Sequence, residues 1–245
     1  PPPPLPTRRG GPPSASSAAC SPAPWAGDRV CEFEDVCFDL ASGTFGFHGT
    51  EEAPGEDLTV GLSAFLDGRS MWTPTVRLPP QGEVSWIDAP SYLAVRHAPQ
   101  NWGHYAVETL LGLYGLILAK EDVFTPHGHR LIFFLDDCSL LLRGDAIEYC
   151  MRYDPDPLPC LKDISALCAR FSRELWPLLS DWVPAEPAHL AERLGGASAA
   201  HLCFRTLRAG VAPWRRPLQN VPTPGVVSWA ADPLAAPVVR AFRVQ

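Results

Sequence analysis

The spacing of hydrophobic and polar positions changes along this chain, and the changes divide it. Residues 1–27, "PPPPLPTRRGGPPSASSAACSPAPWAG", have no period, and Pro, Ser, Ala and Gly dominate them. Such a stretch buries too little apolar surface to fold alone, so a disordered arm is expected. From residue 28 to about residue 77, runs such as "RVCEFEDVCFD" and "GTFGFHG" alternate as half-buried strands do, which predicts hairpins, while the acidic "GTEEAPGED" reads as a loop. The pattern shifts from residue 86. "SYLAVRH" (residues 91–97) predicts a short strand, and "PQNWGHYAVETLLGLYGLILAKE" predicts a long apolar helix with Asn101 as its N-cap. The unbroken apolar run "HRLIFFLDD" (residues 129–137) is that of a buried parallel strand. A helix over residues 161–179 and a strand in "AAHLCFRTLRAG" (residues 199–210) follow. Strand, helix, strand, helix, strand is one half of a doubly wound α/β domain. The expected organisation is an arm (1–27), a hairpin-rich segment (28–85), an α/β domain (86–210) and a Pro-rich tail (211–245).

Composition narrows the classes. The chain has 245 residues, 46% of them hydrophobic, enough for one substantial core or two small ones. A net charge of −7 argues against a nucleic-acid partner, which calls for a basic stripe. No run is apolar enough to span a membrane. The chain starts at Pro1 with no Met and no apolar leader, so we expect a processed or incomplete chain from which a targeting segment is missing. Eight cysteines show no C-x-x-C or H-x-x-x-H zinc spacing. Cys31 and Cys37 suit a local hairpin disulfide; Cys138, Cys150, Cys160, Cys168 and Cys203 pair among themselves or lie buried as free thiols. Disulfides would place the protein in an oxidising lumen.

Several residues carry candidate chemistry. Ligands of parallel α/β sheets sit beyond the carboxyl ends of strands, and the turn "RHAPQNWGH" occupies that position. His104 and Glu108, four apart, would share one helix face, where the carboxylate can orient the imidazole as a general base. The plain alternative is a half-buried structural histidine beside a surface glutamate. Asp136 and Asp137, after the buried strand, could hold a divalent metal, but acids there are commonly caps or solvated loop residues. His127 and His129 lack a third ligand in sequence. His201 and Cys203 stand too close on one strand for a thiol nucleophile. There is no nucleophile elbow, dinucleotide fingerprint or P-loop.

Three stretches together resemble glycosyltransferase family 61, which includes plant xylan xylosyl- and arabinosyltransferases. It also includes animal transferases that place N-acetylglucosamine on O-mannose glycans or EGF domains. The family's N-x-x-H-x-x-x-D/E helix motif is matched by Asn101, His104 and Glu108, and its following L-x-P-L is similar to "LLGLY", with Gly112 in place of proline. Its "hCF…vG" strand is similar to "HLCFRTLRAG", through His201, Cys203, Phe204 and Gly210. "CEFEDVCFD" resembles the cysteine-bracketed strand of the animal members. The likeness spans roughly residues 28–210. It implies the N-terminal, Rossmann-like half of a two-Rossmann-domain (GT-B) enzyme that is inverting and nucleotide-sugar dependent. Such an enzyme transfers a pentose or N-acetylglucosamine to a glycan or glycoprotein acceptor in the ER or Golgi lumen, without a bound metal. It implies His104 or Glu108 as the catalytic base, with Asn101 shaping the turn or binding sugar hydroxyls; Trp102, Gly103 and Asp136 are further substrate-binding candidates. Only 35 Pro-rich residues follow Gly210, with Arg215 and Arg216 in "PWRRP", so the donor-binding half is expected to be missing. A Rossmann half without its partner would expose an apolar face and be poorly soluble. The alternative is a non-catalytic carbohydrate-binding or interaction module on the same fold.

Overall fold

A computed structural model describes residues 3–22, 29–49, 58–62, 71–96, 105–121, 128–136, 138, 150–152, 155–195 and 200–210. The strands are β1 (Arg8–Gly10), β2 (Ser17–Pro22), β3 (Arg29–Asp39), β4 (Thr44–His48), β5 (Val60–Gly61), β6 (Met71–Trp72), β7 (Thr75–Arg77), β8 (Val84–Ile87), β9 (Ser91–Ala94), β10 (Leu131–Phe134) and β11 (His201–Ala209). A π-helical segment (Tyr105–Leu110) runs into α1 (Leu111–Lys120); α2 (Leu158–Leu175) and the short α3 (Leu190–Arg193) come later.

The two longest strands form the spine. β3 and β11 pair antiparallel from Asp39↔His201 to Cys31↔Ala209. Along the other edge of β3, β2 covers the first half and β4 the second, both antiparallel. Along the other edge of β11 lie β8 and then β9, both parallel. β10 is parallel to β9, β7 is parallel to β4, and β1 is antiparallel to β8. β5 and β6 make a separate ribbon. The protein is therefore mixed α/β with a mixed sheet, richer in strand than in helix. The strand-rich segment does not precede the α/β part; it extends the same sheet.

One line across this sheet is bent. Phe204 pairs with Ile87 and Leu207 with Ser91, so one extra residue bulges out on the β8–β9 side, where Pro90 has no N–H to offer. On the same line Asp35 of β3 adopts φ 55°, and Arg205 donates to its carboxylate at 2.7 Å. Inward-facing residues change phase there in both strands: Cys31 and Phe33 then Val36 and Phe38, Leu202 and Phe204 then Leu207 and Ala209.

Both faces of the central strands are covered. Leu131 and Phe133 point into a core with Phe38, Phe45 and Phe204, whose rings pack edge-on or tilted at 5.0–5.8 Å. Ile132 and Phe134 point the other way, against Tyr105, Leu113, Leu116 and Ile117 of the helix. Two-sided burial is why "LIFF" is an unbroken apolar run.

Two expectations are corrected. Residues 3–22 are not a disordered arm: β1 and β2 pair into the sheet, and Leu5 packs in the core. The buried Arg193 donates to the carbonyls of Pro3, Val183 and Pro184, and Leu5 N–H donates to the Arg193 carbonyl at 3.2 Å. Burial lowers the Arg193 pKa to about 10, the charge of Glu186 opposing the shift. Nor do Cys31 and Cys37 bond each other. They lie on one extended strand six residues apart, which is roughly 20 Å and well beyond disulfide reach. Cys31 bonds Cys20 and Cys37 bonds Cys203, each directly across a strand pair. Cys138–Cys168 and Cys150–Cys160 complete four disulfides. These are compatible with an oxidising secretory compartment. Gly210, φ 115°, ends β11 where a Cβ would overlap the Arg29 and Val30 backbone. Residues 211–245, expected as a tail, lie outside the described residues.

Candidate functional site

The chain passes from β9 through the helix to β10, then through α2 to β11. β10 and β11 flank β9 on opposite sides. Strand order thus reverses at β9, and the carboxyl ends of such strands are where open α/β sheets take ligands. Arg96 lies two residues beyond β9, and Asp136 two residues beyond β10.

Arg96 is fully buried and organises this end of the sheet. Its backbone N–H donates to Asp136 Oδ1 and its Nε to Asp136 Oδ2, both at 2.8 Å, while Nη2 donates to the Asp136 carbonyl at 3.0 Å. Nη1 donates to Glu186 Oε1 and Ser172 Oγ at 2.8 Å and meets Cys138 Sγ at 3.0 Å. The guanidinium also lies 4.5 Å from the centre of the Phe134 ring. Burial alone would weaken its protonation, but Asp136 and Glu186 outweigh that and hold it firmly charged.

Tyr105 joins from the helix. Its hydroxyl donates to Ser172 Oγ at 3.2 Å, so one serine on α2 accepts from residues on both flanks of segment 97–104. Burial pushes the Tyr105 hydroxyl up to about 12, against the pull of Ser172 and Arg96. The Cys138–Cys168 disulfide fixes α2 to the end of the strand, one helical turn from Ser172. The network sets one cation against two carboxylates whose side chains are 9% and 13% exposed.

The structure places Asp136 at this edge, gripped by Arg96. Asn101, Trp102, Gly103 and His104 lie outside the described residues, as do Asp137 and His127. Glu108 lies in the π-helical segment, and its side chain is likewise outside what is described. That segment is π-wound, so the i, i+4 face expected for an α-helix is not its register; π-turns recur at functional sites. His129 is exposed, with Asp181 at 3.6 Å. Cys203 is disulfide-bonded. Among the described residues no three His, Cys, Asp or Glu side chains gather where they could hold a metal, and no helix is long and apolar enough to cross a membrane. Sequence reasoning missed Arg96, Ser172, Tyr105 and Glu186. An arginine closing an apolar strand was the available signal for Arg96; Glu186, 90 residues away, gave none.

Neither the known protein families nor the curated proteins provide a match to this chain.

Proposed function

We propose that this chain forms the acceptor side of an inverting, nucleotide-sugar-dependent glycosyltransferase of the family 61 type, working in the ER or Golgi lumen. On this reading the parallel strands are a Rossmann-like half of a GT-B enzyme. The observation that carries it is the reversal of strand order at β9, which makes the carboxyl edge holding Arg96 and Asp136 a ligand edge and leads directly into residues 97–104. His104 or Glu108 takes the proton from the acceptor hydroxyl as that oxygen attacks the anomeric carbon, and the nucleoside diphosphate departs. On this reading the acceptor lies at this edge and the nucleotide against a second domain.

The same edge fits a second reading, glycan binding without transfer. A panel of nucleotide sugars and glycan acceptors, assayed by product mass on the complete gene product secreted from eukaryotic cells, separates the two. Transfer that drops at least about a hundredfold in His104→Ala or Glu108→Ala supports the enzyme. Glycan binding with no product from any donor supports the binding module. Neither transfer nor binding removes both.

A further inference from the structure

His48, at the end of β4, is 3% exposed. Its Nδ1 lies 3.2 Å from the Leu78 carbonyl, which can only accept, so Nδ1 carries the proton of the neutral ring and Nε2 keeps a lone pair. Among the described residues nothing hydrogen-bonds Nε2. The backbone of His48 holds Ser16, in the stretch joining β1 to β2: Ser16 N–H donates to the His48 carbonyl at 2.5 Å, and His48 N–H donates to Ser16 Oγ at 2.8 Å. Gly46 lets the ring lie flat, because a Cβ there would come within 2.8 Å of His48 Cε1.

We propose that His48 is a proton-operated latch: its neutral ring keeps the Ser16 strap closed on β4, and protonation at Nε2 releases the strap. A protonated ring adds a buried N–H at Nε2 that hydrogen-bonds nothing among the described residues, a defect that costs free energy. The facing charges make it worse. β7 presents Arg77, the register partner of His48, and His201 of β11 acts on the ring through its charge; on β3, Asp39 is engaged by Arg77 at 3.0 Å and Asp35 by Arg205 at 2.7 Å. The strap contributes the Ser16 hydroxyl, which accepts from the His48 backbone N–H and donates to the Asp35 carbonyl of β3 at 2.8 Å. Burial is the first cause lowering the His48 pKa, and the charges of His201 and Arg77 add to it, against the carbonyl contacts of Arg77 and Leu78. The sign follows. Above about pH 6.5, the ordinary histidine value, closed and open forms are both neutral and the latch is intact. Below it the open form takes up a proton that the closed form resists, so closure weakens until the closed form protonates too.

The test is hydrogen exchange of the Ser16 and His48 amides in the full chain at about pH 7.5 and 5.5, corrected for intrinsic exchange. Protection should fall about tenfold on acidification. The fall should vanish in His48→Phe and His48→Gln and persist in His201→Gln. Equal protection at both pH values overturns the latch, as does a fall that survives both His48 variants or disappears in His201→Gln. Should the His48 variants not fold, the Cε1 proton of His48 in the unaltered chain decides by its NMR titration. A midpoint below the ordinary value supports the latch; one at or above it overturns it.

Discussion

Arg96 touches Asp136, Glu186, Ser172 and Cys138, and its loss would be felt through the two carboxylates left behind. Replacing a whole buried ionic cluster with apolar groups can be neutral, whereas removing one partner leaves uncompensated charge. Arg96→Met should therefore cost about 3–5 kcal/mol in denaturant unfolding. Part of that loss should return in Arg96→Met/Glu186→Gln, which relieves one carboxylate; a single variant as stable as the parent would mean the network is incidental. The sequence made Asp136 visible because two acids end an apolar run. Arg96 was not picked out, because an arginine after a strand reads as a solvated strand end until the acid across the sheet is known. The pairing with Glu186 rests on a contact across 90 residues that no local spacing encodes.

At the level of elements, local pattern was a good guide wherever burial is two-sided or the helix is long. β9, the helix through Lys120, β10 and β11 lie in the stretches whose periodicity called for them, and α2 overlaps its stretch, beginning three residues earlier and ending four earlier. The front of the chain was not legible in this way. Its Pro, Ser and Ala content cannot sustain a core, yet β2 needs none of its own, because β3 supplies the ladder and Cys31 the covalent tie. The π-winding of Tyr105–Leu110 likewise leaves no mark in an apolar periodicity. β3 is thus stapled on both edges, to β2 through an 11-residue separation and to β11 through one of 166. Loop entropy ranks these unequally, at roughly 3 and 5 kcal/mol. Cys37→Ser/Cys203→Ser should lower the unfolding midpoint clearly more than Cys20→Ser/Cys31→Ser. The reverse order would place the value of the staples in native-state packing, with Trp86 and Val84 lying on the Cys37–Cys203 pair as the first place to look.

Across the whole molecule the four disulfides have a common logic. Cys20–Cys31 and Cys37–Cys203 lock the strand-rich part of the sheet, Cys138–Cys168 locks α2 to the end of β10, and Cys150–Cys160 closes the approach to α2. Together they fix the non-local pairings that are slowest to find and most costly in chain entropy, above all β3 with β11. The core beneath them is aromatic and closely packed, so secondary structure should outlast the bonds while cooperativity should not. Full reduction should lower the thermal midpoint by well over the ~4–8 °C that one kcal/mol moves a small domain, and broaden the transition. Far-UV circular dichroism, with and without a thiol reductant, reads both effects. Yield from an oxidising compartment should exceed that from a reducing cytosol for the same reason. A reduced protein that melts as sharply and as high as the oxidised one would mean the bonds only decorate a fold that stands without them, and the structural argument for a secretory lumen would go with them.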